Sequence, residues 1–335
     1  MTAFLEEKIS LLRRPRRNRQ TPAIRSLTQE NYLFPHQLVA PLFIVEGDNQ
    51  KQTIESMPDV YRYSVDLLIQ EVIALYTLGV RAVDLFCSVS QEKKDPQGSE
   101  AIREGNLLYR AIETLKREIP EMCLMVDIAL DPFTDHGHDG IVNEQREIVN
   151  DETLIRLGEM SVLAAAAGAD VVAPSDMMDG RVGYIRSCLD RQGFSDVAIL
   201  SYAAKYASSF YTPFRQAVDS TLSFGDKKSY QLNPANVREA LLECRLDEQE
   251  GADMLLVKPA LPYLDVLTKV RQITELPLAA YHVSGEYAMV MAAAQKGWLN
   301  ATDVFLESLL SIKRAGADFI FTYAAAKICK NILKK

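Results

Sequence analysis

A recurring Gly-Ala-Asp step followed by apolar residues limits what this chain can fold into more than any other feature does. It occurs in AAGADVVAPSD (166–176), EGADMLLVKPA (250–260) and RAGADFIFTY (314–323), and LGVRAVDLFCS (78–88) is a looser copy. Each copy follows a stretch with helical periodicity, so the glycine suits the end of a helix and the apolar run suits a buried parallel strand. The chain is therefore expected to repeat one αβ unit.

Further apolar runs bring the number of predicted strands to eight. The additional strands are LVAPLFIVEG (38–47), MCLMVDIAL (122–130), VAILSYAA (197–204) and LPLAAYHVSG (276–285). The predicted helices include 65–78, 101–117, 152–167, 237–249, 262–273, 286–296 and 303–314. Eight strands that alternate with helices predict an α/β fold of the TIM (β/α)8 barrel type. A doubly wound open sheet is the alternative, but no G-x-G-x-x-G follows the first strand.

Two segments fall outside this repeat. Residues 1–37 are predicted to form an extended N-terminal arm with the basic run RRPRRNR (13–19), and residues 38–335 to form the barrel. The charge of the arm fits either a solvated tail or an arm that wraps a neighbouring subunit. Residues 212–234 are long for a loop after the fifth strand, and their Ser, Gly and Lys content predicts an active-site lid.

The composition excludes several classes of protein. With 48% hydrophobic and 24% charged residues, the chain has the composition of an ordinary soluble globular protein, and its formal net charge of −8 disfavours a nucleic-acid partner. No apolar stretch approaches the ~20 residues of a membrane span, so no membrane partner is expected. Glu6, Glu7 and Lys8 interrupt any N-terminal signal sequence, which predicts a cytoplasmic protein. The cysteines are widely spaced and predict neither a disulfide framework nor a thiolate zinc site.

Two lysines end apolar runs that otherwise suit a protein interior: Lys205 follows the fifth predicted strand and Lys258 ends the sixth. Adjacent barrel strands lie about 4.8 Å apart, so both amines are expected at the C-terminal mouth, where barrel active sites form. Repulsion and burial should lower the pKa of at least one amine well below its usual value of about 10.4. A neutral lysine amine forms Schiff bases with carbonyl groups. Either lysine alone more often snorkels or forms an ion pair, but the pair favours chemistry.

Acids follow the third predicted strand, in MVDIALDPFTDHGHDG (125–140). Asp127 and Asp131 leave this strand near the same mouth, where carboxylates can orient the lysines, relay protons or hold a hard cation such as Mg²⁺. His136 and His138 fit a loop turn held by hydrogen bonds better than they fit metal ligation. This segment is therefore expected to border the two amines.

Several residues suit the binding of carboxylates. Ser284 and Gly285 lie where the seventh strand meets a helix, and backbone N–H groups and a hydroxyl there can hold an anion. Tyr323, at the end of the eighth strand, adds an O–H donor, and Arg215 and Lys227 in the lid can neutralise a second carboxylate. Together with the lysines, these residues predict a carbonyl substrate with carboxylates, held as an imine beneath a lid.

Long motifs in the same order make the chain resemble the porphobilinogen synthase family, also called 5-aminolevulinate dehydratase. The motifs are PLFIVEG, LSYAAKYASSFYTPFR, LLVKPALPYLD, VSGEYAM and ESLLSIKRAGADFIFTY, and the resemblance covers nearly the whole chain. The resemblance implies an enzyme that condenses two molecules of 5-aminolevulinate into porphobilinogen, an early step of tetrapyrrole synthesis. It also implies a TIM barrel with an N-terminal arm that assembles as a homo-octamer.

The resemblance also implies roles for the site residues. Lys258 would bind the substrate that becomes the propionate side and Lys205 the one that becomes the acetate side, with Asp127 as an acid beside both amines. The two implied carboxylate sites are Ser284 with Tyr323, and Arg215 with Lys227 and Gln231.

Departures from the family pattern bear on the metal. Zinc-dependent members carry three cysteines where this chain has Ala129, Asp131 and Asp139, so no catalytic zinc is expected. The chain resembles the aspartate-rich members, which implies allosteric Mg²⁺ at a distant subunit interface, with Glu243 as its acid. Asp131 and Asp139 are candidates for a separate active-site cation. His282 stands where glutamine is expected, and the sequence offers no account of that change.

Two other functions fit part of the pattern. A barrel of the class I aldolase type needs a single Schiff-base lysine and leaves the second anion site unexplained. A barrel without activity, used for binding or assembly, does not require Lys205, Lys258 and Asp127 to be intact. The arm additionally suggests a switch between oligomers of different size.

Overall fold

The computed structural model describes residues 11–332, and its backbone divides into two units between Tyr32 and Leu33. Residues 33–37, which the sequence placed in the arm, are grouped with the barrel, and Leu33 is buried there. The first ten residues of the predicted arm lie outside the described residues.

The described part of the first unit contains two short helices. A 3-10 helix spans Pro15–Arg19 within the basic run, and α1 spans Pro22–Leu27. The hydroxyl of Thr21 caps α1 by accepting a hydrogen bond from Ile24 N at 3.2 Å. Both helices leave their side chains exposed in this unit.

Eight parallel strands close into a barrel in the second unit, as the sequence predicted. Two further strands, which pair with each other as a hairpin, do not belong to the barrel. In chain order the strands are β1 (Leu38–Ile44), β2 (Lys51–Thr53), β3 (Tyr61–Tyr63), β4 (Ala82–Cys87), β5 (Cys123–Ile128), β6 (Val171–Pro174), β7 (Ala198–Lys205), β8 (Met254–Lys258), β9 (Leu278–His282) and β10 (Phe319–Thr322). β2 and β3 form an antiparallel hairpin beside β1. Each of the other strands pairs with the next, and β10 pairs with β1, which closes the barrel.

Helices on the outside of the barrel connect its strands. They are α2 (Val65–Thr77), α3 (Leu107–Glu118), α4 (Asn150–Ala167), α5 (Arg181–Arg191), α6 (Thr212–Ala217), α7 (Arg238–Glu250), α8 (Leu264–Arg271), α9 (Ser284–Gln295), α10 (Ala301–Arg314) and α11 (Ala325–Ile332). α3 begins later than the predicted 101–117, because Gly105 adopts a φ of 67° and the Asn106 side chain caps the helix. Within residues 11–332, every helix is too short or too polar to cross a lipid bilayer.

The Gly-Ala-Asp step has a structural explanation in each copy. The glycine ends a helix at positive φ, 106° at Gly168 and 104° at Gly251, a conformation that favours glycine. The aspartate accepts a backbone hydrogen bond near the start of the preceding strand: Asp170 from Leu124 N at 2.8 Å, Asp253 from Ile199 N at 2.7 Å and Asp318 from Leu278 N at 2.8 Å. The step therefore ends a helix and fastens neighbouring strands together.

Alternate strand residues point into the barrel and fill its interior, and the remaining strand residues pack beneath the helices. The interior set includes Phe43, Phe86, Met125, Ala173, Tyr202, Leu256, Tyr281 and Phe321. Because successive strand residues face opposite sides, this set shows which neighbouring polar residues also point inward.

Candidate active site

Lys205 ends β7 and Lys258 ends β8, and the two residues are direct partners in the sheet. The register between these strands shifts between Ser201 and Ala204. Without this irregularity, a residue three positions after Tyr202 would face the opposite side of the sheet. The bulge allows both Tyr202 and Lys205 to point into the barrel, and bulges commonly re-aim side chains beside active sites.

Aromatic rings surround the Lys258 amine, and the side chain is buried. The ring centroids closest to Nζ belong to Tyr281 at 4.3 Å, Tyr202 at 5.0 Å, Phe214 at 5.1 Å and Tyr211 at 5.4 Å. Burial, reinforced by the positive charge of Lys205, lowers the pKa of Lys258 to about 7. A large fraction of this amine is therefore neutral near neutral pH and able to attack a carbonyl group.

Lys205 is equally buried but has polar partners. Its Nζ donates a hydrogen bond to the Ser175 carbonyl at the end of β6, and it lies 3.7 Å from Asp139 Oδ2. The two predicted Schiff-base lysines thus have different surroundings, one aromatic and one polar.

Asp127 points into the barrel from β5 beside the two lysines, since it alternates with the interior residue Met125. Burial raises the pKa of Asp127 to about 6, against the opposing charge of Lys205. Its Oδ1 has no hydrogen-bond partner among the described residues. A carboxyl group with this pKa can give or take a proton near neutral pH.

Asp131, Asp139 and Lys227 form a buried ionic cluster. Lys227 Nζ lies 2.7 Å from Asp139 Oδ1 and 3.4 Å from Asp131 Oδ2, and Gln231 Nε2 donates a hydrogen bond to Asp139 Oδ2 at 3.4 Å. Burial would raise the pKa of Asp139, but the charges of Lys227 and Lys205 outweigh it and lower the pKa to about 2. Burial would likewise lower the pKa of Lys227, and the two carboxylates raise it instead.

The cation that Asp131 and Asp139 face in this structure is therefore the Lys227 ammonium. Among residues 11–332, no group of three or more His, Cys, Asp or Glu side chains is arranged to hold a metal ion. While Lys227 stays between them, the two carboxylates do not fit an additional metal ion, because their charge is already compensated. A cation at this pair stays a prediction.

A small cavity lies beside the two lysines, and Arg215, which is only partly buried, is one of the residues that line it. The cavity measures about 20 Å³, roughly the space of one water molecule. It is lined by Asp127, Asp131, Ser175, Lys205, Tyr211, Phe214, Arg215, Lys227, Gln231 and Lys258. The segment 212–234 thus supplies side chains that line this cavity beside the lysines, and its opening as a lid stays a prediction.

Ser284 and Tyr323 do not line this cavity, but they contact Phe214 and Tyr281, two of the rings around Lys258. Ser284 is the first residue of α9, and its Oγ accepts a hydrogen bond from Phe214 N at 3.0 Å and donates one to Phe210 O at 3.3 Å. Gly285 is required here, since a Cβ would lie 2.5 Å from Phe210 O. Tyr323 shares a hydrogen bond of 3.2 Å with the hydroxyl of Tyr281. The implied carboxylate site thus borders both the start of the lid and the rings around Lys258.

The histidines are held by protein hydrogen bonds. His138 contacts Tyr230 Oη at 3.0 Å and Phe224 O at 3.2 Å through its two ring nitrogens, and His136 contacts Pro96 O at 3.3 Å. Burial lowers the pKa of both histidines. These contacts favour the loop turn over metal ligation and join the loop to the lid.

Glu243 lies on α7, away from the lysines, and lines a cavity of about 680 Å³ that also borders the lid at Tyr230. Burial raises the pKa of Glu243 to about 7 against the opposing charge of Arg181, with Asp179 and Glu239 adding negative charge. One or two carboxylates with water ligands are enough to hold Mg²⁺. The surroundings of Glu243 therefore fit a cation, which would keep the carboxylate ionised.

The sequence analysis missed part of the site. It did not identify the rings around Lys258 or the Ser175 carbonyl that accepts from Lys205. It also missed Asp84, a fully buried acid in β4. The signal was present, because an acid inside the apolar run AVDLFC is as unusual as a lysine at the end of one.

A closed parallel barrel has two register-paired lysines at its carboxyl mouth, and the lowered pKa of Lys258 leaves a substantial neutral fraction near pH 7. This arrangement suits an enzyme that attacks carbonyl substrates with a lysine amine. Its two groups of cationic and hydroxyl donors suit carboxylates. This much defines the class of enzyme.

Comparison with known proteins gives the family. The delta-aminolevulinic acid dehydratase family matches residues 12–331. The delta-aminolevulinic acid dehydratase of Chlamydia pneumoniae is 55% identical over 317 residues, 95% of either chain, and the chloroplastic one of Glycine max is 52% identical over 96% of this chain and 78% of its own. The crystal structure of delta-aminolevulinic acid dehydratase from Toxoplasma gondii ME49, in complex with the reaction product porphobilinogen, superposes on this chain with a TM-score of 0.95. The two sequences are 49% identical, and the match covers 97% of this chain and 92% of that one.

The chain belongs to the delta-aminolevulinic acid dehydratase family, as its motifs indicated. It is a lyase of porphyrin and haem biosynthesis that condenses two molecules of 5-aminolevulinate into porphobilinogen with loss of two waters. The superposition also confirms the predicted barrel.

Proposed function

We propose that this condensation runs through imines on Lys258 and Lys205, one for each molecule of 5-aminolevulinate. The observation that carries the proposal is the pairing of the two amines across β7 and β8, with the pKa of Lys258 lowered to about 7. At each lysine the amine attacks the ketone carbon, and the carbonyl oxygen leaves as water after it takes up protons.

The aromatic rings around Lys258 support two stages of that step. Before the attack they exclude water, which favours the neutral amine. After it, their faces stabilise the positive charge of the imine by cation–π interaction. Lys205 has the polar partners Ser175 and Asp139 instead, and Asp127 stands beside both amines as the group that moves protons.

The substrate carboxylates would be held at the two sites implied by the sequence. Ser284 and Tyr323 are proposed for the substrate on Lys258, because they border the rings around that amine. Arg215, Lys227 and Gln231 are proposed for the substrate on Lys205, since all three line its cavity from the lid. Lys227 already binds Asp131 and Asp139, which leaves Arg215 as the stronger donor of this set.

Reductive trapping tests the two imines. The protein is incubated with 5-aminolevulinate and borohydride, and the modified peptides are identified by mass spectrometry. Label on both Lys258 and Lys205 supports the proposal, and Lys269→Ala, which changes an exposed lysine on α8, should be labelled like the wild type. Label confined to one lysine would instead favour the single-imine chemistry of an aldolase. An unlabelled Lys258 peptide would contradict the proposed mechanism.

We also propose that Mg²⁺ binds at Glu243 and acts allosterically, and that no catalytic zinc is used. When bound, the cation would supply the positive charge that keeps Glu243 ionised. The support is the raised pKa of this carboxyl and its place on a cavity that also borders the lid. Chelated protein should form porphobilinogen without zinc and gain activity with Mg²⁺. Glu243→Gln should lose both that gain and the calorimetric heat of Mg²⁺ binding.

We propose, from the family resemblance, that the chain assembles as an octamer through its N-terminal arm. The arm carries exposed apolar side chains that a neighbouring subunit could cover, such as Leu12 and Leu27, which are 95% and 86% exposed. Sedimentation velocity with and without Mg²⁺ tests both the octamer and a switch in its size. A single smaller particle under both conditions would argue against the proposal.

We propose a cytoplasmic location, with an organelle as the alternative, since relatives such as that of Glycine max are chloroplastic. Fractionation of the native cells, with antibody detection of the full-length chain, tests it. Recovery in an organelle or envelope fraction would contradict this location.

A further inference from the structure

Asp84 is a buried carboxyl group that the mechanism above leaves without a role. It lies on β4 two residues before the interior residue Phe86, so it points into the barrel. Its side chain is fully buried, and its Oδ1 has no hydrogen-bond partner among the described residues. Burying a carboxyl group with one unpaired oxygen destabilises the folded protein. An interaction with a positive charge that forms nearby would compensate this cost.

Tyr202 joins Asp84 to Lys258. The Tyr202 hydroxyl donates a hydrogen bond to Asp84 Oδ2 at 3.3 Å, and the centroid of its ring lies 5.0 Å from Lys258 Nζ. Burial raises the pKa of Asp84 well above its usual range, the charge of Asp127 raises it further, and the charge of Lys258 opposes both. Burial and Asp127 thus favour the protonated form of Asp84, and a positive charge on Lys258 favours release of that proton.

We propose that Asp84 is the counter-charge of the imine on Lys258, a positioning residue that stabilises the cation from within the barrel without touching the substrate. The inference rests on the imine proposed above. In the net step, a ketone, a neutral amine and a carboxylic acid become a protonated imine, a carboxylate and water. The C–N bond forms and the C–O bond then breaks, and the water that leaves carries two protons, one from the amine and one that Asp84 releases.

Other titratable groups face Asp84 from the neighbouring strands and must be separated from it. Asp127 is the other acid at this position, but the charge of Lys205 lowers its pKa more than that of Lys258 does. The remaining groups are phenols whose pKa values lie above their usual range: Tyr202, Tyr281 and Tyr323. Phenols with raised pKa values stay neutral, so the negative charge near Lys258 comes from acids: Asp84, Asp127 and, from the loop after β5, Asp131.

The counter-charge gives imine formation a distinctive proton balance. Above pH 7 the Lys258 amine is mostly neutral, and release of the Asp84 proton should reduce the net uptake of protons that forming the charged imine requires. A chain without that acid must take up one proton from solution for each imine, so its affinity should fall as pH rises. A residue with a purely structural role would leave this balance unchanged.

The test compares wild type with Asp84→Asn, whose amide oxygen still accepts from Tyr202 but cannot ionise. The probe is 4-oxopentanoate, which has the ketone and carboxylate of 5-aminolevulinate but no amine, so it cannot form the pyrrole. Calorimetry at pH 8 in buffers of different ionisation enthalpy counts the protons. We expect the wild type to take up fewer protons than Asp84→Asn, by as much as one per imine, and the variant to bind about tenfold more weakly.

A second variant separates charge from hydrogen bonding. Tyr202→Phe keeps the ring and Asp84 but loses the hydroxyl, and its proton count should match that of the wild type. Equal counts and affinities in wild type and Asp84→Asn would overturn the role of Asp84. Cyanoborohydride reduction of the wild-type complex identifies the lysine: an unmodified Lys258 would remove the imine itself, whereas a modified Lys258 with an unaffected variant removes only the inference about Asp84.

Discussion

Lys258 and Lys227 are buried to the same degree at the mouth of the barrel, 5% and 6% exposed, yet their pKa values move in opposite directions. Aromatic rings surround Lys258, and burial lowers its pKa to about 7. Two carboxylates flank Lys227, and they raise its pKa despite its burial. Both residues line one small cavity, so a few ångströms separate a nucleophile from a fixed cation.

The difference shows that burial alone does not decide the charge of a lysine. Desolvation acts on both amines, but only Lys227 has anions within ion-pair distance to compensate it. The same site therefore contains one amine ready for covalent chemistry and another suited to binding an anionic group. Replacing each lysine by methionine, which has a similar shape and no charge, should separate these two roles.

The largest effect is expected for Lys258→Met. Product formation should fall by about 10⁴-fold or more, since no other amine can replace the nucleophile. The variant should also be more stable by about 2 kcal/mol near neutral pH, because it removes a buried amine with a lowered pKa. This gain in the free energy of unfolding should disappear as pH rises through the normal titration range of lysine, because Lys258 is then neutral in the unfolded wild type as well. Porphobilinogen assays and urea denaturation at pH 7 and pH 10 measure both effects.

Lys227→Met should have the opposite effect on stability. It leaves Asp131 and Asp139 buried without their cation, and we expect a loss of about 3 kcal/mol. Part of that loss should vanish in acid, because the carboxylate of Asp139, with its pKa lowered to about 2, stabilises the wild type only above that pH. Lys228→Met, at an exposed neighbour, serves as the matched control in urea denaturation. Equal stability of the two variants would show that the cluster contributes nothing.

The pH dependence of turnover is a smaller effect and tests the lowered pKa directly. Protonation of Lys258 removes the nucleophile, so kcat/KM should fall about tenfold per pH unit below pH 7. The rate at which borohydride traps substrate on Lys258, measured at limiting substrate concentration, should depend on pH with the same apparent pKa as this acid limb. A limb near the usual lysine value, with little activity at pH 8, would disprove the neutral amine.

The smallest effect is expected for Tyr281→Phe. The ring that faces Lys258 remains, so the acid limb should stay in place. Only the hydrogen bond to Tyr323 is lost, and KM should rise about 2- to 5-fold because the phenol of Tyr323 is less well oriented. Tyr323→Phe is the companion variant and should raise KM further if Tyr323 contacts the substrate carboxylate. A displaced acid limb in Tyr281→Phe would show instead that the hydroxyl tunes Lys258.

Much of the fold was predictable because its signals are local. Buried parallel strands are apolar runs of a few residues, and a glycine at positive φ follows the helix before five of them. The start of α3 was missed because the turn at Gly105 and the cap at Asn106 outweighed a helical pattern that began earlier. The division after Tyr32 also differs from the predicted arm, since Leu33 packs into the barrel unit.

The candidate site was predictable in its residues but not in its arrangement. Lys205 and Lys258 were found because each ends an apolar run, and the same reasoning could have found Asp84. The bulge in β7 has no sequence signal that we recognised, although it aims Lys205 into the barrel. The ionic cluster of Lys227 was also unforeseen, because its members are about 90 residues apart in the chain.

The sequence alone determined the number and order of the eight barrel strands, the two lysines at the ends of adjacent strands, and the family, but it did not predict the β2–β3 hairpin. These properties follow from local periodicity and from long motifs. Only the tertiary structure decided which lysine has a lowered pKa, which is paired with carboxylates, and that Asp84 lies inside the barrel against Tyr202. The physical reason is that a pKa depends on burial and on charges within a few ångströms, and the barrel brings those charges together from strands and loops far apart in the chain.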